Sequence, residues 1–137
     1  MKVLIICSHS ESLILFRIDL IKKLNFLNHE IHAAAPELCD DHKTTEFLHS
    51  LGVKTHSLSI RRTGLNPFHD FITFLNLNEL TRKIRPTHVL AYTVKPVIYG
   101  MFAAKLTRVP TRVALITGLG FGFAEKSERL RRFVHVL

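Results

Sequence analysis

Apolar residues along the chain alternate between two rhythms. Val3 to Cys7 is an unbroken apolar run, as expected of a strand buried on both sheet faces. Leu13, Phe16, Leu20, Leu24 and Leu27 then recur at spacings of three and four, which predicts a helix with one apolar stripe, capped by Ser10 or Ser12. Glu30 to Ala35 reads as a second strand, stopped by Pro36. Asp40 and Asp41 suit the positive end of a second helix, which runs to about Leu51 and stops at Gly52. Val53 to Leu58 is the third predicted strand. A basic loop, IRRTGLNP, leads into a helix over 67–85 with Phe68, Phe71, Ile72 and Leu75 on one face, ended by Pro86. The fourth strand spans Thr87 to Tyr92, and Pro96 suits the first turn of the helix that follows. Gly100, Ala103 and Ala104 give that helix a small-residue face suited to close packing on a sheet. Thr111 to Ile116 reads as a fifth buried strand, emptying into the loop TGLGFG, and a last helix begins near Glu125.

Five strands alternating with helices across short loops predict an α/β fold, a single Rossmann-like doubly wound parallel sheet. In such a sheet ligands lie beyond the carboxyl ends of the strands, beside the first strand where the strand order reverses. The loops to inspect are therefore those after each strand, at 8–12, 36–40, 58–67, 92–96 and 117–124.

The 137 residues suffice for one domain and not for two. No apolar run approaches the roughly 18 residues needed to span a bilayer, and the opening MKVLIICSHSES lacks a signal-peptide core, so a cytoplasmic location is expected. Cys7 and Cys39 have neither CxxC spacing nor a disulfide framework around them, and both are expected as free thiols. The nine histidines show no metal-ligand spacing, so no metal and no cofactor are expected. A net charge of +8 suits a polyanionic partner without choosing between lipid headgroups, nucleic acid and phosphorylated substrates.

Candidate chemistry concentrates in the predicted rim loops. The first loop, CSHSES, contains no glycine, whereas a dinucleotide-binding turn needs GxGxxG to bring backbone amides onto a pyrophosphate. It offers Ser8, His9, Ser10 and Ser12 at a helix start, suited to a hydroxyl-rich or anionic ligand, with ordinary capping as the alternative. Arg17, one turn into the helix, is placed to reach a phosphate by paired hydrogen bonds; otherwise it is a solvated helix arginine. Lys95 precedes Pro96 at a helix start, where its charge opposes the dipole, which favours a role toward phosphate or a sugar hydroxyl. In TGLGFG, Thr117, Gly118 and Gly120 bring tight backbone geometry and exposed amides, though this is not a Walker loop. Arg61 and Arg62 form one basic group, and Arg129, Arg131 and Arg132 another, within the helix EKSERLRRFVHVL. Leu130, Phe133, Val134 and Leu137 beside those charges suit an anionic membrane surface; a core-packed helix with a solvated basic face is the alternative. With no recognised module or aromatic platform, no nucleic-acid partner is expected.

In this order, SHSESLILFRIDLIKKL, NHEIHAAAP, LNPF, YTVKPVIYGMFAAKLTRVP and ITGLGFGF resemble the N-terminal domain of family-4 glycosyltransferases of the GT-B architecture, nearest the bacterial enzymes that extend lipid-linked saccharides. The resemblance covers essentially the whole chain. It implies that 1–137 is the acceptor-side half of a retaining, metal-independent enzyme, truncated in or before the interdomain helix, with the nucleotide-sugar-binding domain absent. It implies that Ser8, His9, Ser10 and Arg17 line the acceptor side of a cleft, with Lys95 and the loop of Thr117, Gly118 and Gly120 on its floor. The partners implied are a nucleotide-sugar, a polyprenyl-diphosphate-linked saccharide acceptor and an anionic membrane surface, with the protein peripheral at the inner face of the plasma membrane. Alone the chain is expected to be inactive. The alternative is a non-catalytic anchoring subunit that recruits a second, catalytic polypeptide.

Overall fold

A computed structural model describes residues 1–60 and 66–117. The elements follow in the order β1 (Lys2–Ile6), α1 (Glu11–Phe26), β2 (Glu30–Pro36), α2 (His42–Ser50), β3 (Lys54–Leu58), α3 (Pro67–Ile84), β4 (His88–Tyr92), α4 (Val94–Leu106) and β5 (Thr111–Leu115). All strand pairings are parallel and the sheet order is β3-β2-β1-β4-β5. The α/β expectation therefore stands. The order reverses between β1 and β4, whose carboxyl ends feed the loops after Ile6 and Tyr92.

Strand alternation divides the interior into two cores. Val3, Ile5 and Cys7 point to one side with Leu13 and Ile21 of α1 and Leu48 of α2. Leu4 and Ile6 point to the other, with Leu77 and Ile84 of α3 and Ala103 and Ala104 of α4. The small-residue face of α4 lies on the sheet as expected. A Cβ at Gly100 would stand 3.2 Å from Ile6 Cδ1 and 3.5 Å from Ala91 Cβ, so glycine is what permits that approach. Helix α2 starts on Asp41, whose carboxylate accepts from the Thr44 amide at 3.1 Å, and Gly52, at φ 72°, follows its last turn.

Three expectations are corrected. Helix α1 buries Leu13 and Ile21, while Phe16 is 69% exposed and Leu20 and Leu27 also face outward. Helix α3 buries Thr73, Leu77, Thr81 and Ile84 and leaves Phe68, Phe71 and Leu75 outside. The threonines enter the core because their hydroxyls are satisfied locally, Thr73 by the Ser59 and His69 carbonyls and Thr81 by the Leu77 carbonyl. Among the described residues strand β5 is the sheet's edge and is exposed along its length, in spite of its apolar sequence. No helix among the described residues is long and apolar enough to cross a membrane.

Candidate functional site

The loops after β1 and β4 meet at the point of strand reversal. Thr93 Oγ1 donates to Ser8 Oγ at 2.8 Å and ties the two loops together. Thr93 itself sits at φ 69°, ψ 154°, a region essentially reserved for glycine, and a β-branched residue held there stores strain. Such strain concentrates where a backbone is bent to serve a ligand.

One turn deeper, Ser12 Oγ donates to the His9 carbonyl at 2.6 Å and lies 2.9 Å from Tyr92 Oη. Because Ser12 has given its proton to that carbonyl, Tyr92 is the donor of this pair. Cys7 Sγ also donates to the His9 carbonyl, at 3.3 Å. Burial pushes both the Cys7 thiol and the Tyr92 phenol upward, so both are protonated at neutral pH. Neither is a nucleophile in waiting.

Over this layer lies Arg17. Its guanidinium carbon stands 4.6 Å from the centre of the Tyr92 ring, and one terminal nitrogen donates to the Phe16 carbonyl at 2.8 Å. Arg17 Nε is buried with no hydrogen-bond partner among the described residues. A cationic donor in that state costs folding energy unless something anionic or oxygen-rich meets it.

The structure places the remaining candidates as follows. Ser8 accepts from Thr93, and its own proton has no acceptor among the described residues. The His9 ring is half-buried and likewise makes no hydrogen bond among them. Ser10 is buried and donates to Asp41 at 2.9 Å, so its hydroxyl fastens the loop to the start of α2; neither it nor Ser12 caps α1 by its side chain, contrary to expectation. That bond and the Thr44 bonds hold the Asp41 carboxyl below its ordinary range, those to Thr44 contributing most. Lys95 pairs with Asp70 of α3 at 2.9 Å, with side chains only 17% and 14% exposed. The Tyr99 hydroxyl donates to the same carboxylate, which the Lys95 contact holds below its usual value. Thr117 is exposed two residues past the end of β5, on the same rim. Gly118, Gly120, Arg61, Arg62, Arg129, Arg131 and Arg132 lie outside the described residues.

The candidate site thus joins Ser8, the His9 carbonyl and Arg17 with Tyr92, Thr93 and Ser12. Tyr92 and Thr93 were not singled out from the sequence, where Tyr92 read as a strand end and Thr93 as part of the loop that follows. Their signal was only topological: they are the last residue of β4 and the first after it, directly across from the first loop. Among the described residues no group of three or more His, Cys, Asp or Glu side chains is placed to hold a metal.

The family described as glycosyl transferase 4-like matches residues 2–136. Over 121 residues, 87% of the chain, the sequence is 30% identical to the Campylobacter jejuni N,N'-diacetylbacillosaminyl-diphospho-undecaprenol alpha-1,3-N-acetylgalactosaminyltransferase. The chain spans about a third of that protein, 31% of its length. Among solved structures, Acinetobacter baumannii MurG superposes with a TM-score of 0.62 at 15% identity, over 84% of this chain and 33% of MurG. A deacetylase from the teicoplanin biosynthesis pathway superposes equally well, with a TM-score of 0.64 at 12% identity over 89% of this chain and 69% of its own. Two chemistries on one fold mean that the likeness in shape establishes the fold alone.

Proposed function

The chain belongs to the glycosyl transferase 4-like family, and from that premise we propose that it forms the acceptor-binding half of a glycosyltransferase. The transfer moves a sugar from a nucleotide-sugar to a lipid-linked saccharide, the class named for the Campylobacter jejuni relative. The observation that carries this reading is a pair of donors without an acceptor among the described residues beside the β1/β4 reversal, the Ser8 hydroxyl and the buried Arg17 Nε. A guanidinium and adjacent hydroxyls suit a diphosphate with sugar oxygens beside it. The absence of glycine between Cys7 and Leu13 supports acceptor rather than nucleotide binding on this side.

The nucleotide-sugar is held by a second Rossmann-like half, in the same or another polypeptide, facing this rim. In this reading Lys95, Thr117, Gly118 and Gly120 are assigned to the cleft floor between the halves, with Lys95 held by Asp70. Because the acceptor carries a lipid, the half works at a membrane surface on the cytoplasmic side, with Arg61, Arg62, Arg129, Arg131 and Arg132 adding positive charge.

The test is reconstitution. The chain is combined with a donor-binding half, a nucleotide-sugar and a polyprenyl-diphosphate saccharide, and product is measured. Transfer that needs both halves and falls with Arg17→Ala supports the reading. Transfer indifferent to Arg17→Ala and Ser8→Ala would move the assignment to the anchoring alternative, in which this chain only recruits the catalytic polypeptide.

A further inference from the structure

The helices stop in two different ways. Helix α1 is followed by Asn28 at φ 57° and α2 by Gly52 at φ 72°, residue types that enter the left-handed region easily. Helices α3 and α4 stop instead on Arg85 at φ 51° and Arg108 at φ 58°, where an arginine carries a steric cost. The helix dipole does not require them. Arg82 and Lys83 already stand in the last turn of α3, and Lys105 in that of α4.

Arg85 and Arg108 converge. With Arg82 they line one pocket of about 450 Å³, together with the buried Thr81, Pro86 and Val109. The hydroxyls of Thr81 and of neighbouring Thr107 donate to the Leu77 and Ala103 carbonyls, which leaves the guanidinium groups as the donors toward a ligand. Among the described residues no carboxylate pairs with any of the three, and Glu79, one turn before Arg82, forms no bridge to it. A single exposed arginine is ordinary. Three around one recess without a counter-charge repel one another until an anion joins them. The chain passes from Arg85 into β4 and from Arg108 into β5, so the pocket lies at the amino ends of those strands. The rim with Ser8 and Arg17 is at the carboxyl ends, a strand length or roughly 16 Å away.

We propose that this pocket is an anion site distinct from the rim, for a small soluble ligand that carries two phosphate groups. Charge sets the class. One phosphate ester holds about 1.5–2 negative charges at neutral pH, too few for three guanidinium groups, whereas a diphosphate or a bisphosphate comes closer to balance. Each guanidinium also offers a planar fork of paired donors that matches phosphate oxygens. The site stands on the Arg82, Arg85 and Arg108 cluster alone and does not depend on the sugar-transfer reading.

The left-handed positions supply the variants. Arg85→Gly and Arg108→Gly remove a guanidinium and relieve the backbone together, so neither endangers the fold. Inorganic pyrophosphate is titrated calorimetrically, at constant ionic strength, into the 137-residue chain carrying Arg17→Ala, which silences the diphosphate contact proposed at the rim. One saturable site is expected, with a thermal unfolding midpoint that rises as the site fills. Affinity should fall roughly tenfold with each of Arg82→Gln, Arg85→Gly and Arg108→Gly. It should hold in Arg112→Gln, since Arg112 donates to the Val109 carbonyl and does not line the pocket. An equal loss in Arg112→Gln would reduce the site to diffuse attraction and overturn it. A midpoint shift that chloride reproduces does the same, as does a chain that binds phosphatidylglycerol vesicles through these arginines and ignores pyrophosphate. Pyrophosphate bound by the parent chain and lost with Arg17→Ala alone would strengthen the rim assignment and remove this one, so the two readings fail separately.

Discussion

Two polar groupings stand near the carboxyl ends of the strands and are built in opposite ways. Around Asp70 the charges balance: Lys95 and Tyr99 both reach one carboxylate across the α3–α4 contact, in a setting little exposed to water. Around Arg17 they do not. Among the described residues a guanidinium rests on Tyr92 with a buried nitrogen unsatisfied, Ser8 holds a proton with no acceptor, and Thr93 is bent into a glycine-like backbone shape. A balanced grouping stabilises the fold, whereas an unbalanced one marks a candidate for ligand binding. Position on the rim alone does not separate the two; the count of donors and acceptors does.

The contrast is sharpest in stability. Lys95→Met leaves the Asp70 carboxylate poorly exposed and without its cation, and should cost roughly 3 kcal/mol in urea unfolding. Adding Asp70→Asn should recover part of that loss. The pH dependence has a definite sign. Because the Asp70 carboxyl is held below its ordinary 3.8, the stabilisation is complete above that value and disappears as pH falls through the lower folded value. A change below about 0.5 kcal/mol would mean that the pair is no more than a surface bridge and that the contrast is false.

Arg17→Ala should do the reverse. Losing the stack on Tyr92 should cost only about 0.5–1 kcal/mol of stability. Reconstituted transfer should fall roughly tenfold to a hundredfold, the worth of a hydrogen-bonded charge meeting an anion. Arg17→Lys should not restore it, since a point charge lacks the planar fork. Equal losses of stability and activity would show Arg17 to be structural.

Thr93→Gly comes next in size. Glycine adopts φ 69°, ψ 154° without strain, so the variant should unfold about 1 kcal/mol later than the parent, offset in part by the lost hydrogen bond to Ser8. Transfer should drop in the same variant, which would separate the strain from any service to folding. A variant less stable than the parent would show that the threonine side chain outweighs its backbone cost.

The strands and helices were legible because unbroken apolar runs, Pro67 and Pro86, and Gly52 each act locally. What could not be read was which side of a helix faces inward. On α3 the phenylalanines read as one apolar face, which the fold leaves outside, while Thr73 and Thr81 turn inward, Thr81 satisfied by the Leu77 carbonyl one turn back and Thr73 by the Ser59 carbonyl that the folded chain brings near. Strand β5 looked buried for the same reason: apolar sequence reports capacity to pack, while edge position is set by sheet order. Of the candidate site, Ser8, His9 and Arg17 were singled out from their place after the first strand. Tyr92 and Thr93 were not, since their importance comes from pairing across 80 and 85 positions of sequence.

The smallest effect is expected far from the rim, where the same accounting of donors and acceptors meets a pair that titrates near neutrality. His32 Nδ1 and His56 Nε2 lie 2.9 Å apart with rings stacked at 5.2 Å, on the α3 side of β2 and β3. Glu30 accepts from His32 Nε2 at 3.1 Å and from Lys54 Nζ at 2.7 Å, with Lys2 nearby at 3.6 Å; chiefly the Lys54 bond lowers its carboxyl to about 2. Burial, the largest influence, pushes both histidines below 6.5, and Lys83 on α3 and Lys54 oppose a charge on His56. Two rings sharing one proton cannot both be cationic at that distance. The unfolded chain therefore binds more protons than the folded one at and below 6.5, so stability declines as pH falls from 7 toward 5. The decline should be on the order of 1 kcal/mol and should flatten in His56→Gln, which removes one titrating ring and the repulsion on the other. Unfolding midpoints of the two proteins at pH 7, 6 and 5 decide it, and parallel profiles would mean that the pair is charged or solvated already.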